Sequence, residues 1–100
     1  MAITIAEYTF SGPSKVTGNL ENRSGVYVIL TPNGNTYKVL DVGESSRVRD
    51  RVENHDREDC WKRNVNPGGI YYAGYYTNEQ QRMSIEKKIR DKYIISCGKK

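Results

Sequence analysis

One hundred residues make one domain, large enough for a single modest core and too small for two. Sixteen Lys and Arg against twelve Asp and Glu leave a formal charge of +4, a mild excess that suits an anionic partner without demanding one. The chain has no apolar run of about twenty residues, which excludes a membrane-spanning helix, and MAITIAEYTF lacks the basic start and long apolar segment of a signal peptide. The expectation is therefore an intracellular, cytoplasmic protein.

Residues 1–23 read as an N-terminal arm or one extra strand. Ile3 and Ile5 alternate with Thr4, Tyr8 and Phe10 alternate with Thr9, and Ser11-Gly12-Pro13-Ser14 breaks the pattern. The main domain, 24–95, opens on two runs rich in β-branched residues, 25–31 and 36–43, around Pro32-Asn33-Gly34-Asn35, which predicts a β-hairpin. A two-residue Asn33-Gly34 turn places Tyr27 opposite Leu40 and sends Asp41 to the other face. A three-residue loop, with Gly34 or Asn35 left-handed, places Tyr27 opposite Asp41. A helix follows, with Ser45 or Ser46 as cap and Val48 and Val52 as an apolar strip. Arg47, Arg51 and His55, also four apart, make a second strip that propensity does not explain.

A short helix is predicted over 57–63 with Asp56 as cap and Trp61 in the core. Asn66-Pro67-Gly68-Gly69 ends it, and the aromatic run 69–76 reads as a third, central strand. Thr77 and Gln80 form a capping-box pattern that starts the longest helix, 78–94. Ile85, Ile89 and Tyr93, with Arg82, face the sheet; Glu86 borders that face, and Glu86–Arg90 and Lys87–Asp91 are spaced as exposed i,i+4 pairs. Cys60 and Cys97 have neither a CxxC partner nor zinc-ligand spacing, so they read as free thiols, Cys97 exposed in the tail. Lys99 and Lys100 end the chain as a basic, disordered tail.

The hairpin and the helices around it resemble the GIY-YIG nuclease family. Gly25-Val26-Tyr27 stands where the first motif belongs, and Asp41-Val42-Gly43 where the second does, with Asp41 in place of its tyrosine. Arg51 lies eight residues after Gly43, His55 four further on, and Glu86 falls on the long final helix, without the asparagine that many members place after it. A second literal match, Gly69-Ile70-Tyr71, is a decoy, because any partner motif would overlap it. The resemblance implies a fold, an α/β domain of the α+β kind with a three-stranded, mainly antiparallel sheet flanked by helices. Since the family's motif tyrosines share one site, it also favours the odd loop, or a bulge of the same effect.

It further implies a metal-dependent endonuclease that hydrolyses phosphodiester bonds in DNA. Tyr27 then acts as base or orients the water, Arg51 binds the scissile phosphate, and His55 relays or accepts a proton. Glu86 holds a divalent metal, Mg2+ or Mn2+, and Asp41 stands in for the missing hydroxyl as a second acid. Arg47 and Arg49 face nucleic acid, and a protein partner supplies specificity that so small a surface lacks. The alternative is a nucleic-acid-binding module of the same architecture whose catalysis is impaired by Asp41. Taken singly, each of these residues has an ordinary structural role: Tyr27 a half-buried strand tyrosine, His55 a helix C-terminal cation, Glu86 a solvated helix residue.

Overall fold

Strand alternation sorts the apolar side chains of this chain onto the two faces of one sheet, and each face is covered by helix. The computed structural model describes residues 2–98. Its strands are β1 (Ala2–Ile5), β2 (Tyr8–Ser14), β3 (Gly25–Asn33), β4 (Thr36–Ser45) and β5 (Tyr71–Tyr76). Its α-helices are α1 (Val48–Glu53), α2 (Glu58–Asn64) and α3 (Glu79–Lys92). The strand order is β1-β2-β5-β3-β4, every neighbouring pair antiparallel.

The α+β class is as expected, but the sheet has five strands rather than three. The N-terminal segment is a hairpin, not a single strand or arm, and it adds β2 to the free edge of β5. Its turn pairs Ile5 with Tyr8 and holds both central residues, Ala6 and Glu7, at positive φ, 49° and 68°. Such turns normally announce themselves with Asn or Gly, and neither is present here.

The β3–β4 hairpin settles its register by a bulge. Asn33 pairs with Thr36 around a two-residue turn, Gly34-Asn35, with Gly34 at φ +66°. An unbroken ladder from that turn would put Leu40 on Tyr27's face and Asp41 behind it. Leu40 is instead an extra residue between the Leu30–Val39 and Ile29–Asp41 pairs, so Tyr27 lies opposite Gly43 and Asp41 opposite Ile29. Tyr27 and Asp41 thus share a face without being directly paired.

Val26, Val28, Leu30, Val42, Phe10 and Ala73 form one apolar face, closed by Ile85 and Ile89 of α3. Burying each of those isoleucines contributes about 1.5–3 kcal/mol. Tyr27, Ile29 and Leu40 point the other way and meet Val48 and Val52 of α1, Trp61 of α2, and Leu20. Trp61 is core, as expected.

The helix ends differ in detail from the sequence reading. Neither Ser45 nor Ser46 caps α1; the Arg23 carbonyl accepts from Val48 N–H and Asn22 Oδ1 from Asp50 N–H, both at 3.0 Å. At α3 the cap is Asn78, whose Oδ1 accepts from Gln81 N–H at 2.9 Å, and the helix ends at Lys92. The cysteines are not free. Cys60 and Cys97 form a disulfide with Cα atoms 5.9 Å apart, and Cys97 is buried because the segment after α3 folds back over α2. Cys97 N–H also donates to the bulged Leu40 carbonyl at 2.8 Å. The expected tail at Lys99 and Lys100 lies outside the described residues. Among those residues no helix is long and apolar enough to cross a membrane.

Candidate functional site

Register places Tyr27 between two glycines, Gly43 of β4 on one side and Gly74 of β5 on the other. A Cβ on Gly43 would overlap the Tyr27 hydroxyl, and Leu20 packs above Gly74. The tyrosine is therefore laid down on the α1–α2 face and buried, with its hydroxyl 2.6 Å from His55 Nε2. His55 reaches it from the α1–α2 connection. It does not continue the helical strip of Arg47 and Arg51, because α1 ends at Glu53 and the chain turns inward.

The hydrogen bonds fix the roles. Arg57 N–H donates to His55 Nδ1 at 3.0 Å, so in the neutral ring Nε2 carries the proton and donates to the Tyr27 oxygen. His55 is thus a donor to Tyr27 at rest, not the acceptor of its proton. Burial, reinforced by Arg51 and Arg57, lowers His55 to a pKa of about 4. Burial also raises Tyr27 to about 12, against the opposing pull of Arg51. Near neutral pH the pair is uncharged.

Arg51 stands beside this pair and keeps a side chain 38 % exposed. Its Nη2 lies 3.1 Å from Asp56 Oδ1, and that same oxygen lies 3.3 Å from His55 Nδ1. Asp56, expected as the cap of α2, does not cap it; it pairs with Arg51, and it would pair with His55 only when that ring is protonated. Its own backbone N–H and Arg51 hold its carboxyl below the usual range. On the rim, Arg47 pairs with Asp50 at 3.1 Å, and Arg49 is near enough to Tyr76 to act electrostatically on its hydroxyl.

Asp41 is fully buried and saturated. Its Oδ1 accepts from Val42 N–H at 2.9 Å, Arg57 Nη2 at 3.2 Å and Arg90 Nη2 at 3.1 Å; its Oδ2 accepts from Arg57 Nε and Trp61 Nε1, both at 2.8 Å. Arg51 makes none of these contacts. Glu86 sits on α3, the helix on the opposite face from Tyr27, and its Oε2 accepts from Arg90 Nε at 2.6 Å. Arg90 reaches round the β4 edge to Asp41 and the Val42 carbonyl.

Tyr27, His55 and Arg51 are therefore brought together, Asp41 joins them on the same face, and Glu86 is connected only through Arg90. A divalent ion of the kind the resemblance implies requires carboxylate oxygens with free lone pairs. Asp41 has none to offer, and Glu86 already shares its charge with a guanidinium, so this donor set does not fit a metal. Among the described residues no group of three or more His, Cys, Asp or Glu is placed to hold one.

Sequence reasoning missed Arg57, Arg90 and Asp56. Arg90 does pair with Glu86 as the helical spacing suggested, but the pair turns inward instead of lying on an exposed side. The signal that could have found Arg57 is the indole N–H of a core Trp61, which needs a buried acceptor and so points to a buried acid with further donors nearby. Comparison with family models, curated proteins and solved structures finds no match to this chain.

Proposed function

We propose that this protein is a nucleic-acid-binding module on a GIY-YIG-like frame, with DNA as its partner. Arg51, flanked by Arg47 and Arg49, contacts the phosphates. The observation that carries this reading is the partnering of Asp41. Because Arg57 and Arg90 neutralise its charge, Asp41 neither repels a phosphate nor captures Arg51, whose half-buried guanidinium is held, among the described residues, only by the exposed Asp56, a partner that a phosphate can displace. A partner protein supplies sequence or structural specificity.

Endonucleolytic cleavage is the second reading, and the Tyr27–His55 hydrogen bond favours it. A phenol held against an imidazole can orient a water or pass on a proton. The His55 N–H donated to the tyrosine oxygen favours the phenolate that such a step needs. Burial opposes it.

Two measurements on one preparation separate these readings. Binding to short duplex and single-stranded DNA is followed over a salt series, and plasmid nicking is followed with Mg2+, with Mn2+ and with EDTA. The module reading expects affinity that falls linearly with log salt and weakens in Arg51→Ala, without nicking. Nicking lost in Tyr27→Phe establishes the second reading. Absence of salt-dependent binding to DNA removes the first, and binding to RNA alone changes its partner.

A further inference from the structure

One guanidinium joins the two carboxylates that the sequence nominated for metal chemistry. Arg90 Nε donates to Glu86 at 2.6 Å and Nη2 to Asp41 at 3.1 Å, while Nη2 also serves the Val42 carbonyl. The Arg90 side chain is only 9 % exposed and that of Asp41 0 %. Its neighbour Ile89 is locked into the core, and the chain passes directly over the guanidinium at Gly98, where a Cβ would lie 2.8 Å from Nη2. Arg57 supplies a second positive charge to Asp41, so two arginines face two acids and the cluster is neutral as built.

We propose that Arg90 is the resident cation of this site, seated between Asp41 and Glu86, the two acids to which the resemblance gives metal chemistry. Phosphate engagement by the domain is consequently independent of divalent metal; that consequence rests on the nucleic-acid reading, whereas the seat of Arg90 does not. An arginine is charged at every accessible pH and tethered to α3, so it is never lost to a chelator. For Mg2+ to enter, it would have to shed water, which it does reluctantly, and expel a buried guanidinium that would then lack both partners.

The probe is Mn2+ binding, followed by calorimetry and by the electron-spin-resonance signal of the free ion. It is applied to wild type, Glu86→Gln, Arg90→Gln and Arg90→Ala, with circular dichroism as the check on folding. Wild type should show no saturable site, and a folded Arg90 variant should acquire one at least about tenfold tighter than the weakest binding the titration can detect, a gain abolished when Glu86→Gln is added. DNA affinity of wild type should be the same in EDTA and in Mg2+ at matched ionic strength. A wild-type Mn2+ site that Glu86→Gln abolishes overturns the proposal, as do folded Arg90 variants that bind no better than wild type. If neither Arg90 variant folds, the wild-type and Glu86→Gln comparison decides alone. If DNA does not bind at all, the nucleic-acid reading fails while the Mn2+ comparison still decides where the cation sits.

Discussion

Asp41 and Tyr27 stand on one face of one hairpin, yet their surroundings follow opposite rules. The Asp41 corner is built from permanent charges, each hydrogen-bonded, with Trp61 and the backbone taking up what the arginines leave. The Tyr27 corner is neutral, a buried phenol against a buried imidazole, with its cations at the rim. A carboxylate cannot be buried without such compensation, whereas a phenol can. A buried aspartate at position 41 therefore calls for Arg57 and Arg90. The two corners should accordingly respond differently to mutation, to reduction and to pH.

The largest effect is expected at the charged corner. Arg90→Ala and Asp41→Ala should each lower stability by about 3–5 kcal/mol, because each takes one partner out of a buried ion cluster, and the double variant should lose less than the sum. Urea denaturation measures all three; strict additivity would mean the residues do not act as one cluster. Asp41→Tyr should also be destabilising, since the space holds a carboxylate between two guanidinium groups.

Next comes the tail that covers this corner. The Cys60–Cys97 disulfide spans 37 residues, so Cys97→Ser should cost about 4 kcal/mol in the chain-entropy account. Thermal unfolding with and without a dithiol checks it, and an unchanged midpoint would show that the tail holds without the bond.

The neutral corner should be exposed by acid instead. His55 is lowered from 6.5 to about 4 in the folded chain, so the unfolded chain binds more protons between those values. Its contribution is fully present above about pH 6.5 and lost as pH falls through about 4, a loss of roughly 3 kcal/mol. His55→Gln should remove that part of the pH dependence, leaving the acid limb set by the carboxylates. A slope identical to wild type would place the imidazole in contact with solvent.

The smallest structural effect belongs to the rim. Arg47→Ala and Arg49→Ala should change stability by no more than about 0.5 kcal/mol, and each should reduce the salt slope of DNA binding by about one for every phosphate that the arginine neutralises. An unchanged slope would remove this face from the interface.

Much of this arrangement was legible in the residues themselves. The hairpin, the central third strand, the three α-helices and the core position of Trp61 follow from local alternation and turn chemistry, which act over a few residues. The N-terminal hairpin was hidden because Ala6 and Glu7 adopt positive φ without the usual residues. The odd register was expected from a three-residue loop or a bulge, and it is a bulge; its place at Leu40 was not legible, because a two-residue turn and an odd register look mutually exclusive until an extra residue reconciles them. Arg90 and Cys97 were misread for one reason: both look exposed in sequence, and both are buried by segments that meet only in three dimensions. The grouping of Tyr27, His55 and Arg51 came from motif spacing, whereas the hydrogen-bond direction between Tyr27 and His55 depends on a backbone N–H that no spacing reveals.

Gly43 invites a final distinction. Glycine is commonly valued for the backbone conformations it permits, yet Gly43 is not among the glycines of positive φ, and any residue could trace its path through β4. What it supplies is volume, since a single methyl group would occupy the place of the Tyr27 hydroxyl. Gly43 is thus a steric complement to Tyr27, across a ladder rather than along a chain. The two residues can be read as a pair of protrusion and hollow. A tyrosine displaced from one strand would make the glycine on the other dispensable.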